Sequence, residues 1–179
     1  NAQNLGYAEQ KPENDLNGLD TLHKILILSS IAFNSKIELN KITYKGIKNI
    51  TKEDIIFADK LGFRVKLLGI CSLEKNRIKI LVSPFLISKN KELSSVNHNL
   101  NAIIIDANEK NKTILIGEGA GGSATAMSVI SDIINIFNSR KKDYMYGISY
   151  KKLKKIKVST NLGGSNLFFI KAKVFDKPG

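Results

Sequence analysis

Two titratable residues of opposite charge stand four apart in Asp15-Leu16-Asn17-Gly18-Leu19-Asp20-Thr21-Leu22-His23-Lys24. On a helix, Asp20 and Lys24 share one face, one turn from each other. Residues 22–33 read Leu-His-Lys-Ile-Leu-Ile-Leu-Ser-Ser-Ile-Ala-Phe, apolar nearly all round, which predicts a buried helix. A carboxylate and an ammonium at the start of such a helix are costly unless they are paired or used. As a pair they contribute a few tenths of a kcal/mol, about 0.2–0.5. The use open to them is holding and moving a proton. Spacing alone leaves both readings standing.

A second candidate is the glycine loop Gly117-Glu118-Gly119-Ala120-Gly121-Gly122-Ser123-Ala124-Thr125. Gly117-x-Gly119-x-x-Gly122 follows a predicted strand and opens a predicted helix, so it meets the dinucleotide fingerprint. That fingerprint also needs an acidic residue at the end of a second parallel strand about 20 residues on. A helix and then a basic segment follow instead, which argues against a Rossmann unit. His23 adjoins Lys24 but points about 100° away on the helix, so it reads as packing or a surface contact. His98 lies in a polar stretch with no second His or Cys cluster beside it, and no structural zinc is expected. The single Cys71 sits in an apolar strand and reads as a small buried hydrophobe. One cysteine excludes an internal disulfide and fits a reducing cytoplasm.

The elements that must position these residues follow from caps, breakers and periodicity. Residues 1–8 read as the end of a helix closed at Gly6. Asn17 is a plausible N-cap for a helix over 19–33, and a short strand is expected at 41–44. Thr51-Lys52-Glu53-Asp54 resembles a capping box, predicting a helix to about residue 61 with Gly62 as its stop. Residues 63–72 and 78–82 read as strands joined through Glu74-Lys75-Asn76, with Pro84 ending the second. Residues 88–97 are polar loop. Strands at 100–106 and 113–116, turned by Asn108-Glu109-Lys110-Asn111, precede a helix over 124–137. The order predicts an α+β fold, a mostly antiparallel (mixed) sheet with helices packed on one face.

At 179 residues, 42% hydrophobic and 25% charged, the chain can bury one real core. Its net charge of +12 invites a nucleic-acid reading. Residues 1–138 carry only +3, however, and residues 139–179 carry +9, mainly in Arg140-Lys141-Lys142 and in the lysines of 151–157. Few aromatics interleave with them to stack on bases. Residues 139–165 are therefore expected to be a solvated basic linker. Residues 167–175 alternate as a single strand, too little for a domain. No apolar run reaches membrane-spanning length. Asn1-Ala2-Gln3-Asn4 has neither a basic n-region nor an apolar h-region, and no initiator Met. The chain is expected to begin within something longer.

Three stretches in order carry a family resemblance. Gly6-Tyr7-Ala8-Glu9, Pro12, Asp15-Leu16-Asn17-Gly18-Leu19-Asp20 and Lys24 together resemble the substrate-site stretch of homoserine dehydrogenase. Ile50-Thr51-Lys52-Glu53-Asp54-Ile55 with Leu61-Gly62-Phe63-Arg64-Val65-Lys66-Leu67-Leu68-Gly69-Ile70 resembles that family's middle helix and following strand. The glycine loop resembles its late loop. Phe169-Ile170-Lys171-Ala172-Lys173-Val174-Phe175-Asp176-Lys177-Pro178-Gly179 resembles the opening strand and turn of an ACT domain. The resemblance implies a catalytic and dimerisation domain over 1–138, the basic linker over 139–165 and a truncated ACT-like strand over 166–179. The matched portion lacks the N-terminal Rossmann domain, and the monofunctional type is implied.

Its implied activity is interconversion of L-homoserine and L-aspartate 4-semialdehyde with NADP or NAD, in threonine, methionine and isoleucine biosynthesis. Lys24 is implied as proton donor and acceptor, with Asp20 binding and orienting beside it. Glu9 is implied to hold the substrate amino group, and Asp15 is another implied site carboxylate. Gly6 and Gly121 are implied cofactor contacts. Ile27 and Ile31 would partly desolvate Lys24, lowering its pKa toward neutrality. The fragment alone is expected to be inactive. A cytoplasmic homodimer without nucleic-acid or membrane partners is implied. The competing reading is a non-catalytic amino-acid-sensing protein on the same fold.

Overall fold

The structure is a computed structural model that describes residues 12–39, 42–107, 111–138, 144–145, 148–149, 152–160 and 169–172. The expected helix end at residues 1–8 lies outside the described residues.

A short helix α1 (Glu13–Asn17) ends at Gly18, which is left-handed (φ 82°), and α2 (Leu19–Ala32) begins directly after it. Asn17 is therefore the last residue of α1 and not the cap of α2, which has no side-chain N-cap. Phe33 closes α2, and Asn34 turns left-handed behind it (φ 47°). Helix α3 (Lys52–Lys60) has the capping box that its sequence announces. Thr51 Oγ1 accepts from the Asp54 N–H, and the Asp54 carboxylate accepts from the Thr51 N–H at 2.9 Å. Leu61 closes the helix, and Gly62 follows with φ 83°.

Strands β1 (Phe63–Glu74) and β2 (Arg77–Ser88) form an antiparallel hairpin in continuous register from Phe63↔Ser88 to Glu74↔Arg77. Lys75 and Asn76 both have positive φ, as a two-residue turn matching the strand twist requires. Pro84 does not end β2, contrary to expectation; it pairs with Leu67 within the strand. On its other side β2 pairs with β7 (Lys157–Ser159) only over Arg77–Lys79 and bridges Tyr44 at Val82. At Pro84 that side is an edge, where a missing N–H breaks no ladder. The expected strand at 41–44 reduces to this Tyr44 bridge, Lys41 lying outside the described residues.

The segment expected as solvated linker departs most from expectation. β7 joins β2 in parallel, and Ile156 and Val158 pack on the core. Lys154 is anchored next to α2's end: its carbonyl accepts from the Lys36 N–H (2.9 Å) and Ser35 Oγ (3.0 Å), and its own N–H donates to Asn34 O. A two-residue hairpin, β5 (Tyr144–Met145) with β6 (Ile148–Ser149), precedes it. Residues 169–172, the described part of the expected C-terminal strand, are not in a strand. Lys171 there pairs with Asp54 (2.9 Å) and Glu53 (3.4 Å) of α3.

The core lies between α2 and this sheet. Ile78, Ile80 and Val82, alternate residues of β2, are fully buried with Leu22 of α2, and Ile42 joins them. Leu19, Ile25 and Leu26 from α2 and Leu67 and Cys71 from β1 pack around them. Cys71 takes the hydrophobic role read for it; burial pushes its thiol up, opposed by a hydrogen bond with Ser29.

β3 (Leu100–Asp106) and β4 (Lys112–Glu118) form a separate antiparallel hairpin, followed by α4 (Gly122–Asn138). The architecture is thus α+β with a mixed sheet, as expected, but with the second hairpin in a sheet of its own. No helix among the described residues is long and apolar enough to cross a membrane.

Candidate functional site

Asp20 and Lys24 meet as their spacing requires: Lys24 Nζ lies 2.8 Å from Asp20 Oδ2. Local helix geometry makes the pair, and tertiary packing fixes its direction. Leu22, between them in sequence, is fully buried against β2, so the opposite side of α2 carries the pair outward. Lys24 and Asp20 side chains are 53% and 43% exposed. Ile27 is 55% exposed and Ile31 is half-buried. Residues 22–33 are apolar nearly all round, yet only Leu22 and Ser29 of α2 are fully buried. One face of α2 covers the sheet and the other stands open.

Asp15 is on α1, exposed, one short turn before the Gly18 junction. Gly6 and Glu9 lie outside the described residues. His23 is exposed.

Gly121 stands between β4 and α4 with φ 121°, a backbone shape that side chains rarely adopt. Its carbonyl accepts from both the Thr125 N–H and Thr125 Oγ1, each at 3.0 Å, which begins the helix. The Gly119 N–H donates to Asn99 O, and Asn99 Nδ2 reaches Ala120 O, so the loop is held from behind. Nothing lies within 4 Å of a Cβ at Gly122, whereas a Cβ at Gly119 would overlap the Asn101 side chain. Main-chain N–H groups at a helix start suit an anionic or amide-bearing cofactor group. β4 is antiparallel to β3, so the loop is not the phosphate turn of a parallel βαβ unit.

Other charged groups read as structural. Lys66 Nζ donates to the Val96 carbonyl and to Asn97 Oδ1 (3.1 Å), tying the turn after the 3₁₀ segment Glu92–Ser95 to β1. Burial pushes its ammonium down, with Arg64 adding to the effect. An open depression of about 400 Å³ is lined by Lys36, Glu38, Arg77, Lys155 and Lys157 with Ile156 and Val158; none of the predicted site residues lines it. His98 is exposed with φ 59°. No group of three or more His, Cys, Asp or Glu that could hold a metal occurs among the described residues.

The model of the homoserine dehydrogenase family matches residues 1–134, three quarters of the chain and all of the candidate site. The chain belongs to the homoserine dehydrogenase family. It is 43% identical over 141 residues to a homoserine dehydrogenase of Helicobacter pylori, covering 79% of this chain and 33% of the relative. To one from Neisseria gonorrhoeae it is 32% identical over 183 residues, covering 99% of this chain and 42% of the relative. The fold is similar to a crystal structure of a homoserine dehydrogenase from Thiobacillus denitrificans (TM-score 0.77, 32% identity), covering 89% of this chain and 38% of that one. The chain spans about a third to two fifths of the length of these relatives.

Proposed function

We propose that the protein of which this chain is part is a homoserine dehydrogenase, interconverting L-homoserine and L-aspartate 4-semialdehyde with NADP or NAD. The observation that supports this most is the Asp20–Lys24 pair held at 2.8 Å on the open face of α2 in a member of that family. A bound nicotinamide cofactor would supply the hydride acceptor for the substrate carbon bearing the hydroxyl. The hydroxyl proton must leave as that hydride departs, and in the reverse direction the alkoxide must receive one. Lys24 Nζ is the group for both, and Asp20 Oδ2 aims it. Glu9 and Asp15 supply negative charge for the substrate ammonium. Gly6 and Gly121 are the proposed cofactor contacts.

Lys24 works best as a base when water is excluded from it, and this chain leaves it half exposed. The relatives' additional length is the natural cover for the open face of α2. The exposed apolar residues of β3, β4 and α4 support a homodimer through that region. In this reading the protein is cytoplasmic, residues 166–179 begin an ACT-like module, and neither nucleic acid nor membrane is a partner. A sensor on the same fold has no need of a proton donor on this face.

The test is homoserine-dependent reduction of NADP and of NAD by the complete protein. Reduction that needs homoserine supports the proposal; none, from folded protein with its cofactor domain present, refutes it.

A further inference from the structure

We infer that Gly46 is a positioning residue for the substrate side of this site, an inference that rests on the reading of Asp15 as a substrate carboxylate. Gly46 lies in a segment with no chemistry of its own, yet its backbone is pressed against the α1–α2 junction. A Cβ on Gly46 would overlap Leu16 O and the Asn17 carbonyl carbon and lie 2.6 Å from Asn17 Cα. All three are backbone atoms, so no side-chain rotation relieves the overlap. From the other side, a Cβ on Gly18 would sit 3.2 Å from Gly46 Cα and 3.3 Å from Lys45 O. Two glycines thus cross with backbone on backbone.

Hydrogen bonds make the contact a spacer. The Ile47 N–H donates to Leu16 O at 2.8 Å, and the Lys45 N–H donates to Val82 O at 2.9 Å. Val82 is a fully buried residue of β2. The segment from Lys45 to Ile47 therefore spans from the core strand to the junction, and Gly46 sets the distance. α2 has an independent anchor: Leu22 in the core, with Ile25 against Gly69, where a Cβ would meet Ile25 Cβ at 2.9 Å. Asp20 and Lys24 ride on that anchor. Asp15, directly before Leu16–Asn17 on α1, rides on Gly46. Widening the spacer by one methyl should shift Asp15 while leaving the Asp20–Lys24 pair in place.

The two carboxylates then separate kinetically. In the complete protein, Gly46→Ala should raise KM for homoserine roughly tenfold or more, while kcat stays within about threefold, because substrate placement is sensitive to shifts on the order of 1 Å. KM for the nicotinamide cofactor should not move. In an Asp15→Asn background, Gly46→Ala should add little further to KM, since both changes act through one group. An equal loss in kcat and in both KM values, or full additivity with Asp15→Asn, would overturn the inference and leave Gly46 a packing residue. Amide hydrogen exchange on the unaltered protein needs no variant to fold: strong protection of the Ile47 N–H supports the spacer, and rapid exchange there overturns it. Absence of homoserine-dependent activity in the unaltered protein would instead remove the functional reading, and the exchange measurement would still decide whether the spacer exists.

Discussion

The region built on α2, β1 and β2 and the region built on β3, β4 and α4 carry similar apolar residues and use them in opposite ways. In the first, Leu22, Ile78, Ile80 and Val82 are fully buried and a strap from residues 154–159 closes over the edge. In the second, α4 has no buried residue. Ile136 and Phe137 are 72% and 87% exposed, and Ile130, Ile133 and Ile134 are about half exposed. A helix with that stripe is built to be covered, because contiguous apolar surface of this extent is uncommon on a lone soluble chain. The first region closes its core within the chain and carries the Asp20–Lys24 pair. The second leaves its apolar residues exposed. The open face of α2 is like the second kind: an ion pair on a finished core, half exposed.

Substitutions can sharpen that contrast. Leu22→Ala should cost about 2–5 kcal/mol, the range for a large-to-small change in a closed core. Ile133→Ala should stay within about 0.5 kcal/mol in a dilute, unassociated chain, as for other exposed positions. At concentrations where copies associate, the Ile133 effect should grow, since association stabilises by mass action. Denaturant midpoints at two protein concentrations measure both. Equal effects of the two variants in the dilute chain would erase the distinction between the regions.

A smaller effect tests the cap of α3. Thr51→Ala should lower stability by about 1 kcal/mol, read as the same midpoint shift. The cap also titrates. The Thr51 N–H, then Lys171, hold the Asp54 carboxyl at about 2, below its ordinary 3.8. A depressed carboxylate adds stability above its unfolded pKa that is lost as pH falls through the folded one. Asp54→Asn should therefore lower stability near neutrality and flatten the acid limb of the stability curve between pH 3.8 and about 2, the two proteins converging at the acid end. An unchanged acid limb would mean that the capping carboxylate is not ionised at the cap.

Local signals were legible in the residues and non-local ones were not. The Thr51–Asp54 box, the Gly62 stop and the Lys75-Asn76 turn each act within four residues, and each appears where expected. The Asp20–Lys24 contact was legible for the same reason. β7 was hidden because lysines surround Ile156 and Val158, and charge outweighed their period of two. β2 ran past Pro84 because a proline stop applies only where both strand sides are paired, which sequence does not display. The depth of α2 was overread: an apolar face looks the same whether this chain or another part of the protein covers it. Gly46 gave no signal at all, since its partner backbone at residues 16–17 lies about 30 positions away.

Lys24 is proposed to move the proton in a homoserine dehydrogenase reaction. Its most direct test is the homoserine-dependent rate of the complete protein beside its Lys24→Ala and Lys24→Arg variants. General acid–base catalysis of this kind is worth roughly 10²–10⁴-fold. Both variants should lose about that much in kcat while remaining folded and still binding cofactor, because Arg keeps the charge but cannot give up its proton. A Lys24→Arg protein that turns over at the parent rate would contradict the claim and leave Asp20–Lys24 an ion pair.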